Sequence, residues 1–141
     1  MKKRGSLIEY NKARLADLMR AYKEYIANIG RIVMSEAYKH IAEMPAKRFW
    51  VSEVRASVIV SKLMRGENIL KKMRPSKREM FREIYRRVIA MQQEHPELPI
   101  SVICAKVVAQ PAPKFYLSPG SVKIMICKAK DAKKKSGTPY L

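Results

Sequence analysis

Apolar side chains recur along the chain at spacings of three and four, broken by proline, glycine and serine. That pattern predicts helices and gives no convincing strand. Leu15, Leu18, Met19, Tyr22, Ile26 and Ile29 form one long helical stripe. Ser6 and Glu9 have capping-box spacing ahead of it, and Gly30 punctuates its end. A second helix is predicted from Val33 to Glu43, with Val33, Met34, Ala37, Tyr38 and Ile41 inward and Pro45 as its stop. After a loop over 46–51, Ser52 is placed to cap a third helix over 53–65. Its inner face reads Ala56, Ile59, Val60 and Leu63, and Gly66 is a natural C-terminal stop.

The same order then recurs. Ser76 and Glu79 form a capping box after Pro75, and Met80, Phe81, Ile84, Tyr85 and Val88 line the next helix. The run His95-Pro96-Glu97-Leu98-Pro99 breaks it. A helix over Ile100 to Gln110 turns Ile103, Cys104, Val107 and Val108 inward and ends at Pro111 and Pro113. Ser118 caps a last helix with Pro119 at its first position, where Val122, Met125, Ile126 and Ala129 face the core.

The recurrence extends to the residues themselves. At an offset of 66 positions and without a gap, Ser35, Pro45, Ala46, Phe49, Ser52 and Lys62 fall on Ser101, Pro111, Ala112, Phe115, Ser118 and Lys128. Trp50 falls on Tyr116, Arg48 on Lys114, Val51 on Leu117, Ile41 on Val107, Val58 on Ile124 and Val60 on Ile126. The expectation is an all-α fold of two tandem three-helix units packed together. The first covers 1–66 and the second 76–132. Residues 67–75 link them as a short packed turn (Ile69, Leu70, Met73), and 133–141 form a basic flexible tail. A 66-residue unit is near the lower limit for folding alone, so the two are expected to share a core.

Charge changes the picture more than composition does. Hydrophobic content is 48%, ordinary for a globular chain, but 30 Lys+Arg stand against 12 Asp+Glu, a formal net charge of +18. The excess is not a tail: 17 basic and 7 acidic residues lie in 1–75, and 13 and 5 in 76–141. Each half is therefore expected to present its own basic surface, with nucleic acid, DNA before RNA, as the counter-charge; an acidic protein partner is the other possibility. No run of about 18 apolar residues occurs, so no membrane span is expected. Met-Lys-Lys-Arg-Gly opens like a signal peptide, but no apolar core follows. The expected location is cytoplasmic, or nucleoid-associated if the counter-charge is DNA. Cys104 and Cys127 sit in apolar runs and read as buried free thiols, with a disulfide as the alternative.

Catalytic chemistry finds little footing. His40 and His95 have no metal-ligand neighbours, no Cys-x-x-Cys, phosphate loop or nucleophile motif occurs, and the carboxylates mostly sit beside basic residues. The reading is non-enzymatic, without cofactor or metal. The chemistry-bearing constellation is the repeated loop and the helix after it. The first copy supplies Lys47, Arg48, Ser52, Arg55, Ser57 and Lys62; the second supplies Lys114, Ser118, Ser121, Lys123 and Lys128. A helix N-terminus with hydroxyls and cations holds phosphate, lysines act as point charges, and Arg55 can make two hydrogen bonds to a guanine edge. The aromatics Phe49, Trp50, Phe115 and Tyr116 are read as plugs for the end of the helical core, the alternative being stacking on exposed bases.

Three helices with a capped, basic third one resemble the helix-turn-helix class of DNA-binding proteins, in both copies. That resemblance implies duplex DNA bound through two such units, in transcriptional regulation or DNA organisation. The loop over 45–51 is longer than the about three or four residues of the usual turn. The segment Pro-Ala-Pro-Lys-Phe-Tyr-Leu-Ser also resembles one found in small uncharacterised proteins of bacteriophages and mobile elements. This suggests the rival reading: a structural component of a virion or other nucleoprotein assembly, with the basic and aromatic side chains touching partner proteins or packaged nucleic acid.

Overall fold

The computed structural model describes the backbone of residues 2–28 and 34–135, and the side chains of 9–28 and 34–132. It is all-α. Helix α1 spans Lys2–Ala27, α2 Met34–Ala42, α3 Glu53–Met64, α4 Pro75–Glu94, α5 Ile100–Val108 and α6 Pro119–Lys135, with a 3₁₀ turn at Leu70–Lys72. Among the described residues no strand forms, and extended pairing is confined to one antiparallel bridge between Ala46 and Ala112.

Local chemistry sets the helix ends. Ser52 is extended (φ −69°, ψ 151°) and its Oγ accepts the Arg55 N–H at 3.0 Å, satisfying a donor that the first turn leaves open. Ser118 repeats this on α6, its Oγ accepting the Ser121 N–H at 3.2 Å ahead of Pro119. Gly66 closes α3 at φ 81°. Its N–H donates to Leu63 O at 3.0 Å and the Glu67 N–H donates to Lys62 O at 3.1 Å, the paired bonds of a Schellman end.

Two expected starts differ. Helix α1 already runs at Lys2, so Ser6 lies inside it and opens nothing. Helix α4 begins at Pro75 with Arg74 as its cap and no side-chain cap bond. The Glu79 carboxylate, expected to close a capping box with Ser76, instead accepts from Lys114 Nζ at 2.7 Å. Ile29, Gly30 and Val33 lie outside the described residues, as does the expected tail beyond Lys135; residues 133–135 belong to α6.

The helices cluster into two compact units, but not in tandem. One comprises residues 45–116 and holds α3, α4 and α5. The other joins residues 1–44 to 117–141 and holds α1, α2 and α6. The third helix of each sequence copy thus packs with the first two of the other copy. In the continuous unit α3 lies on α5 and α4. Ala56, Ile59 and Val60 are buried there, with Met80, Phe81, Ile84 and Val88 of α4 and Ile103, Cys104, Val107 and Val108 of α5. In the split unit α6 lies on α2 and α1. Leu18 and Ala21, Ala37, Tyr38 and Ile41, and Val122 and Ile126 are its buried apolar positions.

The physical reason lies in the long loops. Seven extended residues reach up to about 23 Å, enough to carry a helix away from its predecessor, where a tight turn would fold it back. The two copies share an apolar pattern, so α5 presents Ile103, Cys104, Val107 and Val108 at the positions where α2 presents Ala37, Tyr38, Ile41 and Ala42.

The split unit also buries a charge that periodicity did not reveal. Asp17, 2% exposed, accepts from Arg20 Nε at 3.0 Å and Nη2 at 2.8 Å. Glu83 and Arg86, at the equivalent positions of the second copy, form the same i, i+3 pair. A carboxylate at low exposure is tolerable only when its lone pairs are met this way.

This partition makes excision informative. A fragment of residues 45–116 should unfold cooperatively in urea as a monomer, whereas residues 1–66 should show no cooperative monomer transition. The opposite result would restore the tandem grouping. In the full chain Phe49→Ala, which empties a fully buried site, should cost about 3–5 kcal/mol.

Candidate nucleic-acid interface

The two loops meet inside the continuous unit. The Ala46 N–H donates to Ala112 O and the Ala112 N–H to Ala46 O, each at 3.0 Å, while the Phe49 N–H donates to Val108 O at 3.0 Å. Both alanines are nearly fully buried. Arg87 of α4 fastens the crossing. Its guanidinium donates to Pro111 O at 3.0 Å, to Gln110 Oε1 at 3.2 Å and to Glu83 Oε2 at 2.7 Å, and lies 4.9 Å from the Phe49 ring centre. Arg86 first, then Arg87, hold the Glu83 carboxyl below the usual range, against the opposing effect of burial. Sequence reasoning missed Arg87. Its signal was a departure between the copies, since the equivalent position holds Ala21.

The loop aromatics are largely internal. Phe49, Phe115 and Tyr116 are buried, and Trp50 is half-buried. Phe49 and Tyr116 stack at 6.0 Å between centres. Tyr116 adopts φ 56°, a left-handed conformation costly for a bulky side chain and held by its surroundings.

The expected contact residues fall into three groups. Arg48 and Lys114 are engaged: Arg48 Nε and Nη2 donate to Phe49 O at 3.0 Å and Val51 O at 2.9 Å, its guanidinium lies 5.1 Å from the Trp50 ring centre, and Lys114 pairs with Glu79. Ser52 and Ser118 are caps, and Ser57 is half-buried with a hydrogen bond to Cys104; burial pushes the Cys104 thiol up, against the opposing effect of that bond. Lys47, Arg55, Lys123 and Lys128 are exposed, with Lys62 and Ser121 half-exposed.

The structure does not gather the second set at one place. Lys114 belongs to the continuous unit with Lys47, Arg48, Ser52, Arg55, Ser57 and Lys62, while Ser118, Ser121, Lys123 and Lys128 belong to the split unit. Each unit nevertheless has one serine-capped helix with cations on its outer face. The same faces carry exposed apolar side chains that the sequence reading overlooked: Val54 (74% exposed) and Val58 (42%) on α3, and Ile124 (56%) on α6. Val58 and Ile124 are equivalent in the repeat.

Cys104 and Cys127 are free thiols; Cys127 is exposed, not buried as expected, because α6 turns that edge outward. His40 stacks on Tyr25 at 5.7 Å, and His95 lies 3.4 Å from Glu97. Among the described residues no three His, Cys, Asp or Glu side chains gather as a metal site, and no helix is long and apolar enough to cross a membrane. Comparison with protein-family models, curated proteins and solved structures gives no match.

Tyr116 supplies a pH test of the crossing. Burial first, then the carboxylates of Glu83 and Glu79, push its phenol up to about 12, against Arg87. The folded state therefore keeps a proton that an unfolded tyrosine loses near about pH 10. Its contribution is complete below that value and is lost as pH climbs to about 12. Urea midpoints should fall more steeply with pH across this window for the native sequence than for Tyr116→Phe; parallel curves would mean an ordinary phenol.

Proposed function

We propose that the protein is a non-enzymatic nucleic-acid-binding protein that engages duplex DNA through the outer faces of α3 and α6. The observation that carries this reading is the duplicated surface itself. Two equivalent helices each combine a serine-capped N-terminus, exposed cations and an exposed apolar residue at the same position, Val58 or Ile124. Cations and the open N–H groups of a first turn suit phosphate, and an aliphatic side chain between them suits a thymine methyl in the major groove. A helix of 12 or 17 residues is long enough to lie there.

The expected helix-turn-helix geometry changes under this proposal. In that class the reading helix rests on its immediate predecessor. Here α3 rests on α5 and α6 on α2, so each reading helix is supported by a helix from the other copy. Transcriptional regulation and DNA organisation both fit such a reader.

The rival, a structural part of a virion or other nucleoprotein assembly, draws on the same exposed apolar residues, joined by Val102 at 39% exposure on α5. Binding would then be to protein surfaces or to packaged nucleic acid without sequence preference.

Binding to random duplex DNA over a salt series, followed by enrichment of the bound pool, separates these readings. A regulator should yield an enriched site favoured by about 4–10 kcal/mol. Steep salt dependence without enrichment means packaging, and no binding at low salt removes the proposal. Arg55→Ala should cost about 1–3 kcal/mol and relax selection at one base pair. Lys123→Ala with Lys128→Ala should weaken all sequences alike and flatten the salt slope by about 0.9 for each phosphate no longer neutralised. Identical behaviour of the two variants would remove the base-reading role of Arg55.

A further inference from the structure

Away from the α3 and α6 outer faces, the split unit has a groove of about 650 Å³ between α1 and α6. Its floor is apolar: Leu15, Ala16 and Met19 from α1, Ala129 and Ala132 from α6. Leu15, Met19 and Ala129 are half-exposed and Ala16 and Ala132 fully so, although the core of this unit is built on Leu18 and Ala21. The apolar stripe of α1 is thus wider than its packing uses. Leu15 and Met19 are turned to a second side, and the alanines keep that side open to close approach.

The rim is basic. Lys12 and Lys23 stand at either end, both exposed, and Arg20 lies between them. Glu24, also on the rim, bonds to Arg20 at 3.0 Å, and Asp17 meets the same guanidinium. The lysines are left to set the sign. From Lys12 to Lys23 the groove runs eleven residues along α1, about 16 Å or three helical turns.

The geometry points to a docking site for an acidic amphipathic helix of a partner protein, with apolar residues on one face and carboxylates flanking them. An apolar trough of this length takes side chains at i, i+3/i+4 and i+7 from a partner helix. Charge complementarity selects acidic flanks, because they meet Lys12 and Lys23 and are steered by the field of a chain at +18. A second copy is a poor occupant: α3, α4, α5 and α6 each carry more basic than acidic residues, so it would bring like charge to the rim. Nucleic acid is a poor occupant too, since a floor of aliphatic and thioether side chains offers phosphate and base edges no hydrogen-bond donor.

The test uses the full chain and two synthetic peptides of about fifteen residues with identical composition, one with leucines at helical spacing between glutamates and one scrambled. Fluorescence anisotropy at near-physiological salt should give the patterned peptide at least tenfold tighter binding. The methyl NMR signals of Leu15, Met19 and Ala129 should shift with it. Ala16→Glu and Ala132→Glu, both at exposed positions that leave helicity by circular dichroism unchanged, should each erase that preference and leave duplex-DNA affinity within about twofold. Lys12→Glu with Lys23→Glu should transfer the preference to a lysine-flanked version of the patterned peptide. Equal binding of patterned and scrambled peptides would overturn the proposal as mere charge attraction. A dimer in sedimentation that Ala16→Glu dissolves would assign the groove to a second copy. A tenfold loss of DNA binding in the Ala16→Glu or Ala132→Glu variant would assign it to nucleic acid. These readouts are separate from the α3 and α6 experiments, so either proposal can fail alone.

Discussion

Two hydrogen bonds between Ala46 and Ala112 are the constraint on which the arrangement of the chain turns. They pair a residue with its own repeat equivalent inside the continuous unit. A side chain larger than a methyl would crowd the buried site on both strands, and a proline at either position would remove a donor. The prolines Pro45, Pro111 and Pro113 surround the bridge instead. Pro45 and Pro111 sit just beyond the ends of α2 and α5, where they bar the helices from continuing, while Arg87 ties the crossing to α4 and packs on Phe49. Once the loops are set this way, α3 can reach α5, and each third helix completes the core begun by the other copy.

The same economy governs charge. Several carboxylates are taken up by cations of the chain itself, among them Asp17 on Arg20, Glu83 on Arg86 and Arg87, and Glu79 on Lys114. Of these pairs the buried one at Asp17 constrains packing most, and the exposed ones add little stability of their own. With those acids engaged, the positive excess falls to surfaces such as the outer faces of α3 and α6, where Arg55, Lys123 and Lys128 project. Mutual repulsion among them opposes the compact state and is relieved by any polyanion.

Much of this was legible in the sequence because periodicity and caps are local. Most of the inner faces of α3, α4 and α5, the caps at Ser52 and Ser118 and the stop at Gly66 follow from spacing alone, although Leu63 and Tyr85, expected inward, are only half-buried. Partner choice is not local. The copies share an apolar pattern, so nothing in Ala56, Ile59 and Val60 says whether they rest on α2 or α5; the length of the loop over 45–51 was the available clue. Residues whose roles depend on the crossing were correspondingly hidden. Arg87 looks like one more surface cation, Arg48 turns back to its own loop carbonyls, and Glu79 answers Lys114 across the fold rather than Ser76 within its turn. Val54, Val58 and Ile124 already fell off the inner faces that spacing assigns, yet their exposure drew no attention, since single aliphatic residues at a surface are ordinary.

The exchange of third helices also means that a single copy of the repeat cannot complete a core by itself. One copy of the repeat contains two helices of one unit and the closing helix of the other, so alone it finishes neither. The turn at Leu70–Lys72, modest as it is, joins two copies into one molecule and turns what would be an encounter between separate chains into an intramolecular search. Its concentration dependence disappears, the local concentration of each missing helix is set by tether length rather than by expression level, and the second copy supplies for each core the strand of sequence that the first cannot.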